Sequence, residues 1–135
     1  MPPCLFQKGL IYMLQAYSQN VTVTEMQPIP FNNLTIQKGC TAEQISPTTF
    51  ALNRCGVYMI ACNASSAATE TIQLYKNGVA LNEAVSTGVS PGFVSLVQVN
   101  HNNSCRACDS PDTIQIIAET AGTITDTSIV ITKVV

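Results

Sequence analysis

The densest chemistry in the chain is the run His101-x3-Cys105-Arg106-Ala107-Cys108. Two cysteines separated by two residues can place both thiolates on one Zn²⁺, and the single histidine of the chain stands four residues upstream as a possible third ligand. One such pair is half a site. Completion would need Cys40, Cys55 or Cys62 brought close by the fold, or three copies of the loop meeting at an axis. The same residues admit two other states, a disulfide through Cys105 or Cys108 and free thiols, and the spacing of the 6 cysteines selects no pairing. Cys62 is different: it continues the apolar face of Tyr58 and Ile60, which predicts a small buried hydrophobe.

For acid–base or nucleophilic catalysis the inventory is thin. The carboxylates Glu25, Glu43, Glu70, Glu83, Asp109, Asp112, Glu119 and Asp126 are scattered, with no motif that pairs an acid with a base. No Gly-x-Ser-x-Gly elbow, phosphate loop or His-Glu-x-x-His is present. His101 and Cys105 are neighbours in a loop, which is not a catalytic pair held in register. The expectation is a protein that is not an enzyme and needs no cofactor, with a zinc-binding or redox module built on Cys105 and Cys108 as a second alternative.

Composition points to how such residues would be positioned. Charged residues are 10% of the 135, against about 25% in an ordinary soluble domain, while hydrophobic residues are 46%. Thr, Ser, Asn and Gln take the place of charge, a composition that suits pleated strands. A net charge of −2 with 6 Lys and Arg supplies no basic stripe, so a nucleic-acid partner is not expected. The apolar run at 10–14 is too short to span a membrane and matches a secretory signal poorly. Weak surface charge also lowers the repulsion between copies of the chain, which favours self-association.

Along the chain, positions 1–17 form the one stretch readable as a short helix or an extended arm. Its Leu5, Phe6, Leu10, Ile11 and Leu14 are apolar enough to need a surface to dock on, which predicts an attachment arm. From Val21 the period becomes two: Val21, Val23, Ile29 and Phe31, with Pro28 and Pro30 confining the segment to a sheet edge. Strands are predicted at 48–52 and 57–62, a hairpin at 70–85 around Asn77-Gly78, and further strands at 93–99, 113–119 and 127–134. In 57–62, Tyr58, Ile60 and Cys62 point one way and Val57, Met59 and Ala61 the other, so both faces need cover. In so small a domain that cover could come from another subunit, which makes Val57, Met59, Tyr58 and Ile60 candidate trimer-interface residues. Regular strand spacing without helices indicates an all-β sandwich or jelly roll.

The order of these signals resembles the jelly-roll domains shared by tumour necrosis factor, the globular heads of complement component one-q and bacterial or phage collagen-associated trimer domains. The resemblance covers roughly 15–135 and rests on Ala16-Tyr17-Ser18, Pro28-Ile29-Pro30-Phe31, Phe50, Gly56-x-Tyr58-x-Ile60, Leu74-Tyr75-Lys76-Asn77-Gly78 and Ser128-Ile129-Val130-Ile131-Thr132-Lys133. It implies an all-β, TNF-like jelly-roll β-sandwich of ten strands that packs around a threefold axis, here as a jelly roll at 18–135 behind an arm at 1–17. The chain departs from the eukaryotic members in lacking tryptophan and in carrying Cys55 before Gly56. Its low charge and its Asn-Gly and Thr/Ser-rich turns look more like the prokaryotic and phage branch.

The function expected on that basis is a non-enzymatic homotrimeric surface module, carried on a virion as a capsid decoration or head-fibre protein. A bacterial spore- or cell-surface binding head is the alternative. Partners would be other copies of the chain, a capsid or other virion protein, and a host-surface glycan. The loops at 86–92 and 100–111 would face outward, away from the arm.

Overall fold

The computed structural model describes residues 12–100 and 111–135. Among them the chain forms eleven strands: β1 Met13–Val23, β2 Gln27–Pro28, β3 Asn33–Lys38, β4 Ala42–Ser46, β5 Thr49–Leu52, β6 Gly56–Ser66, β7 Glu70–Lys76, β8 Val79–Gly88, β9 Gly92–Val99, β10 Asp112–Ala118 and β11 Gly122–Lys133. One antiparallel sheet has the order β3-β1-β11-β6-β9, and the facing sheet the order β4-β5-β10-β7-β8, with β2 attached to β10. Neighbours in each sheet are mostly distant in sequence, and this crossing over is what makes the sandwich a jelly roll.

Alternation builds the core between the sheets. Leu14, Ala16, Tyr58, Ile60, Cys62, Ile129 and Ile131 from the first sheet meet Phe50, Leu52, Ile72, Leu74, Ile114 and Ile116 from the second, all buried. Phe31 and Phe50 stack edge to face with centroids 5.7 Å apart, the favourable geometry for two aromatic quadrupoles. The segment between β2 and β3 crosses from one sheet to the other and is fastened to both. Ile29 N–H donates to the Ile116 carbonyl at 2.8 Å, while the buried Ser18 hydroxyl donates to the Pro30 carbonyl at 2.8 Å and accepts from Asn32 N–H at 2.7 Å. Pro30 has no N–H to satisfy, so the crossing leaves fewer donors to place.

Several sequence expectations change here. Val21 and Val23 end β1, an interior strand between β3 and β11, and only Gln27–Pro28 pairs as a fragment at the margin of the other sheet. The arm at 1–17 is shortened: residues 13–17 are already sheet, and Leu14, 0% exposed, packs in the core of its own chain instead of waiting for a docking surface. Leu5, Phe6, Leu10 and Ile11 lie outside the described residues. Strands β3 and β4 were not anticipated, although Leu34 and Ile36 alternate with polar neighbours. The hairpin at Asn77-Gly78 forms as expected, with φ of 52° and 82°, the left-handed pair a tight two-residue turn needs.

Register also separates the two loops expected to lie together. Met13 is opposite Thr132, Thr132 opposite Met59 and Met59 opposite Leu96, so β1 begins beside the end of β9. The segment after Val99 therefore leaves from the end where the chain enters β1, and the β8–β9 connection lies at the other end, beside Asn63. The reason is antiparallel pairing: β9 must finish opposite Gly56, the first residue of β6.

The far end is closed by one carboxylate that the sequence did not single out. Glu70, 3% exposed, accepts through Oε1 from Thr71 N–H at 3.0 Å, Thr120 N–H at 2.9 Å and the Thr120 hydroxyl at 2.8 Å, tying the β10–β11 turn to the start of β7. Glu70→Ala removes all three acceptor contacts and is expected to cost about 2–3 kcal/mol in chemical denaturation, with the slope against denaturant unchanged. A loss within 0.5 kcal/mol, roughly the scatter of surface substitutions, would show that the turn is held without it.

Burial raises two ionisations in the core: the Tyr58 phenol from 10.0 to about 12, and the Cys62 thiol from 9.0 to about 12 against the lowering effect of a Thr127 hydrogen bond. The unfolded chain thus gives up these protons first. The stabilisation they represent is complete below pH 9.0 and is lost as pH rises from there towards 12. Denaturation midpoints should fall steeply in that interval, and replacing Cys62 with Ala should shallow the fall.

Candidate self-association surface

The two outer faces of the sandwich differ. On the five-stranded sheet the outward positions form rows read from the register. Gln15, Val130, Ala61 and Val94 make one row; Met13, Thr132, Met59 and Leu96 the next; Val57 and Gln98 begin a third. Val94 and Leu96 are 66% and 62% exposed. Outward positions of β1, β6 and β9 carry no charge; β11 has Asp126, to which the Gln19 amide donates at 3.3 Å, and Lys133 as its last residue, and Lys38 of the edge strand β3 lies opposite Met13. The centre of this face is therefore an apolar stripe without a charged residue.

On the other sheet several outward polar side chains engage one another or the backbone, beside the exposed Ile45, Val79 and Val85. The Thr71 and Thr87 hydroxyls are 2.7 Å apart, Gln115 Nε2 donates to the Thr49 hydroxyl at 2.9 Å, and Gln73 Nε2 donates to the Leu81 carbonyl at 3.1 Å. Those polar groups are already satisfied in water. The apolar stripe is not, and covering an exposed Val or Leu is worth about 1.5–3 kcal/mol per side chain. A patch of this kind on a small domain marks an association site.

Each candidate residue can now be placed. Val57 and Met59 face outward on the stripe; Tyr58 and Ile60, both 0% exposed, do not, because β6 alternates and they fill the core of their own protomer. Tyr58 Oη donates to the Arg54 carbonyl at 2.8 Å and accepts from Arg54 N–H at 3.2 Å, so even its polar end is satisfied internally. Tyr58 and Ile60 therefore present no side-chain surface to a second chain. Val94, Leu96, Ala61 and Val130, which the sequence reading did not single out, share the outer face with Val57 and Met59. The signal existed, since 93–97 reads Phe-Val-Ser-Leu-Val and is apolar on its outward side, as 57–62 is.

His101, Cys105 and Cys108 lie outside the described residues. The three cysteines that might have completed a metal site with them are otherwise engaged: Cys40 and Cys55 are disulfide-bonded, and Cys62 is buried with its thiol held protonated. Among the described residues no group of three or more His, Cys, Asp or Glu is arranged to hold a metal, and no helix is long and apolar enough to cross a membrane. A shallow hollow beside the stripe is lined by Ala61, Cys62, Asn63, Gly92, Phe93 and Val94. Its one polar side chain, Asn63, already accepts from the Ser128 hydroxyl at 3.2 Å.

Among solved structures, the globular domain of zebrafish complement 1qA superposes with a TM-score of 0.68 at 15% identity, covering 92% of this chain and 97% of that one. Murine APRIL at pH 8.5 gives 0.70 at 9% identity, covering 93% and 100%. The fold is a TNF-like jelly roll. Rabbit GITRL is similar over 90% of this chain and 94% of its own, with a TM-score of 0.59 and 16% identity. No family model and no curated protein matches the sequence. The likeness is one of backbone architecture, so residue roles on this jelly roll rest on its own side chains.

Leu96→Glu places a charge in the middle of the stripe without touching the core. It should reduce the assembly to single chains in light scattering while leaving the thermal transition cooperative, since an outward charge costs a monomer little. Tyr58→Asp should instead unfold the protomer, because it buries an unpaired carboxylate. A Leu96→Glu protein that keeps the wild-type mass would remove the stripe from consideration.

Proposed function

We propose that the chain is a non-enzymatic, trimeric surface module, carried on a virion as a decoration or head-fibre protein, whose copies meet through the outer face of the five-stranded sheet. The observation that carries self-association is the charge-free stripe of Val57, Met59, Ala61, Val94, Leu96 and Val130 running across three adjacent strands of the five-stranded sheet. The threefold count rests on the resemblance noted in the sequence and on the TNF-like architecture.

The virion setting is supported by the short Asn-Gly and Thr/Ser-rich turns and low charge, which are similar to the phage branch, and by disulfides at Cys40 and Cys55, which suit a protein exposed outside a reducing cytosol. In that setting the polar outer face of the second sheet, with Tyr75 among Gln73, Gln115 and Thr71, would be turned to the medium and to any host-surface glycan. A capsid or other virion protein would take the side where the chain enters β1.

The decisive experiment is fractionation of infected or sporulating cultures with an antibody to the chain. Co-sedimentation with capsids in stoichiometric amounts is expected. Recovery with spore coats or cell envelopes would transfer the same module to the alternative setting. A mass of three chains in solution is expected for the purified protein, and a monomer at micromolar concentration would contradict the threefold reading.

A further inference from the structure

Two open sheets have four rim strands, here β3 and β9 in one sheet and β4 and β8 in the other. A rim strand leaves half its backbone groups without a ladder partner, and it is a template for another chain unless something blunts it. Three of the rims are blunted. An extra residue bulges from β3 at Thr35 and from β4 at Ile45, and β8 loops away from β7 between Ala80 and Val85. Each of the three also carries a charge, Lys38, Glu43 and Glu83 respectively. β9 has neither device: Gly-Phe-Val-Ser-Leu-Val-Gln-Val runs in unbroken register from Gly92 opposite Asn63 to Val99 opposite Gly56, without a charge or a proline.

Alternation decides which backbone groups of β9 face the rim. Ala64 N–H donates to the Pro91 carbonyl at 2.9 Å, so Pro91 and every second residue after it bond to β6, while the residues between them turn N–H and C=O outward. Both ends of that outward row are taken: Gly92 N–H donates to the Ser86 hydroxyl at 3.1 Å, and the Gln98 carbonyl accepts from Lys76 Nζ at 2.8 Å. Between them, the N–H and C=O of Val94 and Leu96 have no ladder partner among the described residues. The same two residues carry the most exposed side chains of the apolar stripe.

We propose that β9 is the acceptor edge for a second copy of this chain, paired antiparallel about a twofold axis at Leu96. A second copy fits because the outward row is its own complement. With Leu96 opposite its counterpart, each exchanges an N–H···O=C bond with the other, and Val94 falls opposite Gln98. No unpaired charge opposes the contact, since Lys76 at the end of the row is paired with Asp112 at 3.4 Å. The two five-stranded sheets become one continuous sheet, and the apolar stripe runs from one copy into the next. The contact rests on the proposed function only in taking the chain to self-associate. It is distinct from the threefold contact, because it is made by backbone in the plane of the sheet and closes on a pair; together the two would join trimers two by two.

Amide hydrogen exchange of the full chain is followed at high and low protein concentration, beside light scattering. The expected result is a Leu96 amide slowed about tenfold or more where the chains associate and released on dilution, with Ser95 and Val97 protected throughout. A Leu96→Cys protein gives a second reading. Opposed residues of a bonded antiparallel pair lie about 5.5 Å apart at Cα, within the roughly 4.4–6.8 Å that a disulfide spans, so mild oxidation should link two chains at this position. Val94→Cys should not link, because the two copies of that position are about 14 Å apart. Oxidised wild type is the reference for the native cysteines. Association in which the Leu96 amide exchanges as fast as in dilute solution overturns the edge contact and leaves the face contact standing, as does equal linking of Leu96→Cys and Val94→Cys. A mass of two chains with a protected Leu96 amide keeps the edge and removes the threefold reading. A single chain at every concentration overturns both.

Discussion

The ladder that seats β11 between β1 and β6 is the contact on which the rest of the molecule depends. Ile129 and Ile131 lie opposite Cys62 and Ile60 on one side and opposite Ala16 and Leu14 on the other, all inward and at most 2% exposed. A slip of one residue would turn these side chains to water and bring Thr132, Val130 and Ser128 into the core. The same constraint fixes the outer face, because the residues between the core positions have nowhere else to go. Core and association stripe are two readings of one register.

With so little charge, the chain fastens its irregular segments by neutral groups bonded to backbone. Ser18 holds the crossing at 30–32, Gln44 Nε2 reaches the Phe31 carbonyl at 2.7 Å, and the Thr127 hydroxyl donates to the Asn63 carbonyl at 2.9 Å. Among the described residues one ion pair is formed, Lys76 with Asp112 at 3.4 Å, partly exposed and so worth little in itself. Its value is positional. Lys76 Nζ also donates to the Gln98 carbonyl at 2.8 Å, and Asn77 Nδ2 to Asp112 Oδ1 at 3.1 Å, so the β7–β8 turn joins the end of β9 to the start of β10 across the two sheets.

The two ends of the sandwich are closed by different chemistry. One has the buried Glu70 carboxylate with its three donors; the other has the buried Tyr58 phenol bonded to the Arg54 backbone, with the disulfide-bonded Cys40 and Cys55 in the adjoining turns. A carboxylate clamp is indifferent to reductants, whereas a disulfide is not. On the outer face of the five-stranded sheet, Val94 and Leu96 expose the centre of an apolar stripe.

Alternation in 57–62, the Asn77-Gly78 turn and the strand spacing after residue 48 were legible in the sequence because they are local: a period of two, a left-handed pair, a turn composition. From them follow the all-β class and the orientation of Tyr58 against Met59. What covers each face was not local. Tyr58 and Ile60 proved to be core because a second sheet lies above them, while Val94 and Leu96 became outward because β9 pairs with β6 in one particular register. Leu14 left the arm for the core because β11 offered it Ile131 as a partner 117 positions away, and Cys40 and Cys55 became neighbours of one another's turns through Asn53. Composition and period set which strands this chain can make; only long-range pairing decides which side of each strand meets water.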